Sequence, residues 1–171
     1  MDIASLERLI RPIEGYPVAG VTFRDITPLL ADGPAFSAMV DALCGEFNDI
    51  DVVVGVEARG FIFGAPVAHR LGVGFVPVRK PGKLPWETVS QSYELEYGSD
   101  SLELHSDAIR PGQEVLIVDD VLATGGTAHA TANLVRNSGG YVAGLSFVLE
   151  LDGLGGRSKL PNERINSVLH F

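Results

Sequence analysis

Two adjacent acids and a glycine-rich turn stand close together in the stretch VLIVDDVLATGGTA, residues 115–128. Asp119 and Asp120 directly follow four apolar residues, and the Thr-Gly-Gly-Thr of residues 124–127 begins four positions later. Glycines let the backbone approach a ligand closely, the amides at the start of a helix favour an anion, and Thr124 and Thr127 add hydroxyl donors. Residues 123–127 are therefore predicted to form a loop that cradles a phosphate monoester.

The two carboxylates are expected to face another part of the same ligand, because they would repel a phosphate placed beside them. Paired carboxylates can accept hydrogen bonds from vicinal ribose hydroxyls, and a nearby divalent cation would offset their charge. A ligand that carries a phosphate next to a diol is a ribose 5-phosphate. Since successive strand residues point to opposite faces, we expect the strand to end at Val118 and the loop to begin at Asp119.

A simpler interpretation of this stretch is a polar turn between a strand and a helix, whose side chains only cap the helix. The stretch is not a Walker loop, because no Gly-Lys-Ser/Thr follows, and it lacks the GxGxxG pattern of dinucleotide-binding turns. TGGT alone would be weak evidence. Two acids after an apolar strand, with TGGT and a helix behind them, are more specific, so we favour the binding loop.

Two further stretches carry charges suited to phosphate oxygens. Glu57-Ala-Arg-Gly60 follows a short apolar run, and Arg59 offers a planar fork of donors; the alternative is a surface ion pair between Arg59 and Glu57. Arg79, Lys80 and Lys83 place three cations within five residues of an acidic chain. Such a run is usually a solvated surface, but this one begins a segment, 80–92, that is predicted to be a long loop and thus a candidate lid.

The elements that must position these loops alternate between strand and helix. Strands are predicted at 51–56, 74–79, 114–118, 141–151 and 165–170, and helices at 2–11, from residue 32 onward with Asp32 as its cap, at 60–71 and at 127–138. Residues 12–30 are predicted to be irregular, and 93–97 and 101–105 to pair as a hairpin around a turn at 98–100. The alternation indicates an α/β domain with a mostly parallel sheet flanked by helices, spanning residues 1–171 as one unit.

Composition narrows the class of partner. The formal net charge of −9 argues against a nucleic-acid or membrane-surface binder. The N-terminus lacks the pattern of a signal peptide and no apolar stretch is long enough to cross a bilayer, so a cytoplasmic protein is expected. Cys44 is interpreted as a core residue, and the four histidines show no metal-binding spacing.

Residues 115–128 closely resemble the phosphoribosyl-pyrophosphate (PRPP) signature of the type I phosphoribosyltransferases. Three more stretches resemble the members of that family that act on adenine: GVTFRDITPLL (20–30), GVEARGFIFGAPVA (55–68), and the run from VRKPGKLP (78–85) to YELEYG (93–98). The resemblance extends in order to GLGGRSKLP (153–161). It implies the type I phosphoribosyltransferase fold, with a small N-terminal hood at about 12–30 and a mobile lid at about 79–97.

The resemblance also implies roles for individual residues. Those expected to bind PRPP or AMP are Glu57, Arg59, Arg79, Lys80, Lys83, Tyr97, Asp119, Asp120, Ala123, Thr124, Gly125, Gly126 and Thr127. Phe23 would stack on adenine while the backbone from Val21 to Arg24 reads its edge; by composition alone, Phe23 would be a core aromatic. Glu96 is expected near the purine N7 as an acid or base, against the alternative of an exposed hairpin glutamate, and Arg59 is expected to assist catalysis.

The implied reaction converts adenine and PRPP into AMP and pyrophosphate, a step of purine salvage. Magnesium would be held through the substrate with help from Asp119 and Asp120, and the enzyme would be a homodimer whose lid cations act within one chain or across the interface. Another base, such as hypoxanthine, guanine or orotate, is one alternative. A non-catalytic PRPP-sensing regulator is another, although the acidic charge and the absence of a DNA-binding segment in this sequence argue against it.

Overall fold

The computed structural model describes residues 1–95 and 98–171. Its helices and strands follow the predicted alternation. In chain order they are α1 (Ile3–Glu7), β1 (Arg11–Glu14), β2 (Thr22–Asp25), α2 (Thr27–Ala31), α3 (Gly33–Cys44), β3 (Val52–Val56), α4 (Gly60–Leu71), β4 (Gly74–Val78), β5 (Thr88–Leu95), β6 (Gly98–His105), β7 (Glu114–Leu122), α5 (Gly126–Asn137), β8 (Tyr141–Glu150) and β9 (Ile165–His170), with 3₁₀ turns at Asp152–Leu154 and Gly156–Lys159.

Five parallel strands in the order β4-β3-β7-β8-β9 form the central sheet. All five residues of β3, Val-Val-Val-Gly-Val, are buried, as expected for a strand covered on both faces. One apolar cluster packs α3 and α4 against the sheet, and a second packs α5 and β6 against it. This confirms the predicted fold class. Because β3 and β7 are neighbours at the centre, the segments that follow them emerge side by side.

Local sequence signals fixed several boundaries correctly. The Asp32 carboxylate accepts a hydrogen bond of 2.9 Å from the amide of Ala35, so it caps α3 as predicted. Helices α4 and α5 begin and end within one residue of their predicted bounds. Cys44 packs against the core, where burial raises the pKa of its thiol, in agreement with its interpretation as a core residue. No helix within the described part of the chain has the length and apolarity needed to cross a membrane.

The predicted end of β7 was wrong. The strand does not stop at Val118 but continues through both acids to Leu122, with Asp119 paired to Phe147 and Val121 paired to Leu149. Strand β8 is ten residues long and offers hydrogen-bonding partners along this whole stretch, which outweighs the low strand propensity of aspartate. The backbone therefore keeps its pleat at Asp119, and the loop begins only at Ala123.

Four other predictions need correction. The lead-in at 12–30 contains an antiparallel ribbon, β1 with β2, and the short helix α2. The predicted loop 80–92 is shorter, because Thr88 to Ser92 pair with Ser101 to His105 in the β5–β6 hairpin. The residues 98–100 lie within β6 rather than in the hairpin turn, since Gly98 pairs with Leu95. Helix α1 is also only five residues long. The first three corrections involve pairing between strands, which local propensity does not determine.

Candidate active site

Three depressions adjoin at the carboxyl ends of β3 and β7. The first is lined by Asp119 and by the segment from Val121 to Ala128. The second is lined by residues 21–24 together with Arg59, Asp120, Val121, Ala123, Leu149 and Leu151. The third is lined by residues 56–59 together with Lys80, Tyr93, Leu102, Asp119, Asp120 and Thr127. The third shares Asp119 and Thr127 with the first, and Arg59 and Asp120 with the second, so one extended ligand can reach all three.

The first depression is formed by residues 123–127, here called the TGGT loop. Gly125 has a φ of +79°, a left-handed conformation that favours glycine, and it directly precedes α5. Gly125 has no side chain with which to cap the helix, so the first amides of α5 have no side-chain acceptor from this position. The loop and the helix N-terminus that were predicted to cradle an anion are therefore both formed, and anion binding there stays a prediction.

Asp119 and Asp120 have different neighbours, because the strand keeps its pleat and successive side chains leave it on opposite sides. A Cβ placed on Gly60 would lie 2.8 Å from Asp119 Oδ1, so the start of α4 approaches this carboxylate closely. Burial and the neighbouring charge of Asp120 raise the pKa of Asp119. Asp120 is 5% exposed, and burial raises its pKa despite Arg59, whose Nε lies 2.9 Å from Asp120 Oδ2. Both acids line the third depression.

Arg59 therefore has a different partner from the one considered in the sequence. One interpretation of the sequence was a surface pair between Arg59 and Glu57. In the structure, Arg59 pairs instead with the buried Asp120, near the carboxyl end of the neighbouring strand β7. Its guanidinium carbon also lies 5.5 Å from the centroid of the Phe23 ring. The peptide bond between Glu57 and Ala58 is cis. The Arg59–Asp120 pair therefore joins the segment after β3 to the carboxyl end of β7.

Glu57 holds two of the three cations at the start of the lid segment, residues 79–97. Its Oε2 lies 2.7 Å from Arg79 Nε and its Oε1 lies 2.7 Å from Lys83 Nζ, while its side chain is only 6% exposed. Burial would raise the pKa of Glu57, but the hydrogen bonds from Lys83 and Arg79 lower it below its ordinary value. Lys80, the third cation, pairs with Asp100. All three cations thus lie near the third depression with acidic partners.

Residues 21–24 of the predicted hood segment, residues 12–30, line the second depression. Val21, Phe23 and Arg24 line it together with Leu149 and Leu151. Phe23 is half-buried and packs edge-on against Tyr16, with ring centroids 5.3 Å apart, so it is not part of either apolar core. The Arg24 guanidinium stacks on the ring of Phe171, 4.1 Å from its centroid.

Tyr93 lines the third depression and contacts Asp100, and the sequence indicated neither residue. The Tyr93 hydroxyl lies 3.4 Å from Lys80 Nζ, 3.2 Å from the Asp100 carboxylate and 3.4 Å from the Thr127 hydroxyl. Tyr93 and Thr127 are 34 positions apart, and no local spacing predicts such a contact. Glu96 and Tyr97, both predicted site residues, lie outside the described part of the chain.

One group of potential metal ligands does converge elsewhere. Ligand atoms of Glu150, Asp152 and His170 lie within 4.8 Å of one another, although the histidine spacing did not suggest a group. Arg157 donates hydrogen bonds to both Glu150 oxygens, at 2.8 and 3.0 Å from Nε and at 2.8 Å from Nη2. These three side chains therefore belong to an ion-pair network at the carboxyl end of β8.

Comparisons with known proteins find relatives that match nearly the whole chain. A family model described as a phosphoribosyl transferase domain matches residues 30–157. The adenine phosphoribosyltransferase of Clostridium perfringens is 57% identical over 169 residues, which cover 98% of each chain. That of Desulfitobacterium hafniense is 54% identical over 173 residues, which cover all of both.

Solved structures of related proteins match the fold of nearly the whole chain. The crystal structure of adenine phosphoribosyltransferase from Thermoanaerobacter pseudethanolicus matches with a TM-score of 0.96 and 52% identity, covering 99% of this chain and 100% of that one. The Saccharomyces cerevisiae structure, complexed with an imino-altritol bisphosphate and adenine, matches with a TM-score of 0.92 and 42% identity over 98% of both chains.

Proposed function

The chain belongs to the phosphoribosyltransferase family, among its adenine phosphoribosyltransferases, and from that premise we propose that it transfers the 5-phosphoribosyl group of PRPP to adenine, giving AMP and pyrophosphate. The observation that carries this proposal is the meeting of three depressions around Asp119, Asp120 and Arg59. One suits a phosphate, one a flat apolar ring and one a second, more highly charged anion, which are the parts of the two substrates.

The TGGT loop is proposed to take the 5′-phosphate of PRPP and AMP. The amides at the start of α5 and the hydroxyls of Thr124 and Thr127 supply donors, and the helix dipole favours a negative charge there. Although the strand keeps its pleat, Asp119 and Asp120 both line the third depression, and their carboxylates are proposed to accept hydrogen bonds from the ribose hydroxyls there.

The third depression is proposed to take the pyrophosphate. Arg59 and Lys80 line it, and Arg79 and Lys83 approach it through their shared partner Glu57. Pyrophosphate carries more negative charge than the one carboxylate that now holds these two cations, so it can draw them from Glu57. Cations gathered where negative charge develops stabilise the departing anion.

The second depression is proposed to take adenine. Phe23 offers a ring face at the hood, Leu149 and Leu151 supply apolar contacts, and the backbone between Val21 and Arg24 can read the edge of the base. A site that pairs with the 6-amino group rejects a 6-oxo purine, because the wrong group leaves buried polar atoms unpaired. This is the reason for preferring adenine to hypoxanthine or guanine.

The transfer exchanges one bond to C1′ for another. The bond between C1′ and the pyrophosphate oxygen breaks, with its electron pair leaving on pyrophosphate, and adenine N9 bonds to C1′ from the opposite face. Adenine loses its imidazole proton, which Glu96 is proposed to accept on the N7 side. No covalent enzyme intermediate is needed, and closure of the lid segment would exclude water that could hydrolyse PRPP.

Magnesium fits these residues as a partner of the substrate. Among residues 1–95 and 98–171, Asp119 and Asp120 are not part of a group of three potential ligands. Two carboxylates beside a bound pyrophosphate match the preference of Mg²⁺ for one or two protein ligands, substrate oxygens and water. Bound in this way, the ion would supply positive charge that offsets the leaving group.

By family resemblance we also propose a cytoplasmic homodimer.

The test is an assay with each base separately. Purified protein is incubated with PRPP, Mg²⁺ and adenine, hypoxanthine, guanine or orotate, and the nucleotide and pyrophosphate formed are quantified. We expect AMP and pyrophosphate in equal amounts with adenine and a rate at least a hundredfold lower with the others, on the order expected when a buried polar group is left unpaired. Faster turnover of another base, or no turnover of any, would overturn the proposal.

A further inference from the structure

The segment GLGGRSKLP, residues 153–161, contributes no residue to the three depressions, yet it lies directly behind the TGGT loop. A Cβ placed on Gly125 would meet the carbonyl oxygen of Gly156 at 2.4 Å. A Cβ placed on Gly156 would meet the carbonyl oxygen of Ala123 at 2.4 Å and the side chain of Leu122 at 2.9 Å. The two main chains are therefore packed against each other with no room for a side chain between them.

Anchors on both sides hold this C-terminal turn, residues 152–160, in place. Before it, the amide of Leu151 donates to the carbonyl of Leu122, the last residue of β7. At its far end, Leu160 is buried in the apolar cluster that packs α5 against the sheet. The turn therefore cannot move away from the TGGT loop without breaking a hydrogen bond or exposing an apolar side chain.

Arg157 fixes the middle of the turn. Its guanidinium makes a forked pair with Glu150, whose side chain is 6% exposed and whose residue pairs with Leu122 across the sheet. A forked pair of this kind fixes orientation as well as charge. Two residues of β9 border this pair. Ser167 Oγ lies 3.5 Å from Arg157 Nη2, and His170 Nδ1 lies 4.0 Å from Glu150 Oε2.

We propose that Gly156 and Arg157 are positioning residues that hold the TGGT loop in the shape that binds the 5′-phosphate. The inference rests on the proposed function, because it concerns the same phosphate. A loop whose amides must converge on one anion loses affinity when its backbone can shift. The main chain of Gly156 closes the space into which Ala123 and Gly125 would otherwise relax, and the Arg157–Glu150 pair keeps Gly156 there.

The first test compares two glycines of the same turn. Gly156→Ala should push the backbone of Ala123 into the loop, whereas the matched control Gly153→Ala has open space around its new Cβ. Steady-state kinetics with PRPP and adenine should show that Gly156→Ala raises the KM for PRPP by about tenfold, as expected for a disturbed anion cradle, and leaves the KM for adenine within about twofold. Gly153→Ala should match the wild type in both.

The second test leaves the glycines in place. Arg157→Gln should raise the KM for PRPP in the same selective way, and Arg157→Lys should restore part of it, since lysine keeps the charge but not the fork. The control is Arg136→Gln, which removes an equal charge from the ion pair with Glu163 at the other end of α5. If Gly156→Ala does not fold, as judged by circular dichroism, the Arg157 variants alone decide the question.

The pattern of constants separates the outcomes. A purely structural role for the turn would lower the fraction of active enzyme, so kcat would fall with both KM values unchanged, and this would overturn the inference. An equal rise in both KM values, or no change in any constant, would overturn it as well. Failure of the wild type to form AMP from PRPP would instead contradict the proposed function, so the two failures are distinguishable.

Discussion

The TGGT loop and the lid segment border the same cavity but are held by different forces. The TGGT loop is fixed by main-chain packing between Gly125 and Gly156 and by continuation into a strand and a helix. The cations of the lid segment are held by carboxylates, Arg79 and Lys83 by Glu57 and Lys80 by Asp100. One region is shaped before a ligand arrives, and the other is held by charges that an anionic ligand can replace.

This difference follows from what each region must do in the proposed reaction. The 5′-phosphate is present in substrate and product alike, so a fixed cradle serves both. The pyrophosphate has to leave, and a cradle made of exchangeable ion pairs can release it. The side chains of Arg79 and Lys83 are 35% and 50% exposed, so they can turn from Glu57 to an anionic ligand without leaving a fully buried position.

The largest effect is expected from the substitution Asp120→Asn, in the strand that leads into the TGGT loop. The change removes a buried charge that pairs with Arg59 and that is proposed to face the ribose, so both the position of Arg59 and the sugar contact are weakened. We expect kcat/KM for PRPP to fall by on the order of a hundredfold, as for loss of one preorganised charged group. The measurement is the initial rate of AMP formation at varied PRPP.

Asp41→Asn is the matched control for that substitution. Asp41 pairs with Arg70 through the same type of contact, at 2.7 Å, but both side chains are more than half exposed. An exposed pair of this kind contributes little, so the control should retain the wild-type rate within about twofold. A rate for Asp120→Asn that is equally close to the wild type would show that the acid pair is not part of the site.

A smaller effect is expected in the lid segment from Glu57→Gln. The substitution removes the charge that competes with pyrophosphate for Arg79 and Lys83, so product inhibition by pyrophosphate should become about fivefold tighter, which corresponds to about 1 kcal/mol, the usual net contribution of one hydrogen bond. The measurement is the inhibition constant of pyrophosphate against PRPP. Glu46→Gln, at a side chain that is 95% exposed, is the control and should change nothing.

Weaker pyrophosphate binding in Glu57→Gln would contradict the comparison between the two regions. It would mean that Glu57 orients the cations toward the ligand instead of competing for them. The lid segment would then be preorganised in the same sense as the TGGT loop. The sign of the change in the inhibition constant therefore distinguishes an exchangeable cradle from a fixed one.

Sequence predicted the parts of this molecule that depend on local patterns. The apolar run of β3, the Asp32 cap and the TGGT stretch all reveal their structure within a dozen residues. The end of β7 could not be predicted in this way, since Asp119 remains in the strand only because β8 is long enough to pair with it. The β5–β6 pairing had the same origin.

The site was predicted in outline and missed in its contacts. Most of the predicted residues line the three depressions, because strand ends of a parallel sheet converge. The partner of Arg59 was not foreseen, since Asp120 is 61 positions away and Glu57 is only two. The contact of Gly125 with Gly156 likewise joins segments whose proximity is set by the whole sheet.

The smallest expected effect concerns the support behind the fixed region and depends on pH. Burial alone would raise the pKa of Glu150, but hydrogen bonds from Arg157 and Ser167 lower it below its ordinary value. A carboxyl whose folded pKa is lowered stabilises the fold above its unfolded pKa, about pH 4, and loses that contribution as the pH falls through the folded pKa.

Glu150→Gln removes this contribution, because the amide cannot ionise. At pH 7 the variant should have a free energy of unfolding about 1 kcal/mol below that of the wild type, a modest loss because Arg157 is 48% exposed and returns to water. The difference should shrink as the pH falls below about 4 and through the lowered pKa of the folded protein, where the wild-type carboxyl becomes protonated. Urea unfolding at a series of pH values measures this, with Glu46→Gln as the control. A difference that stays constant with pH would mean that Glu150 supports the C-terminal turn by its shape and not by its charge.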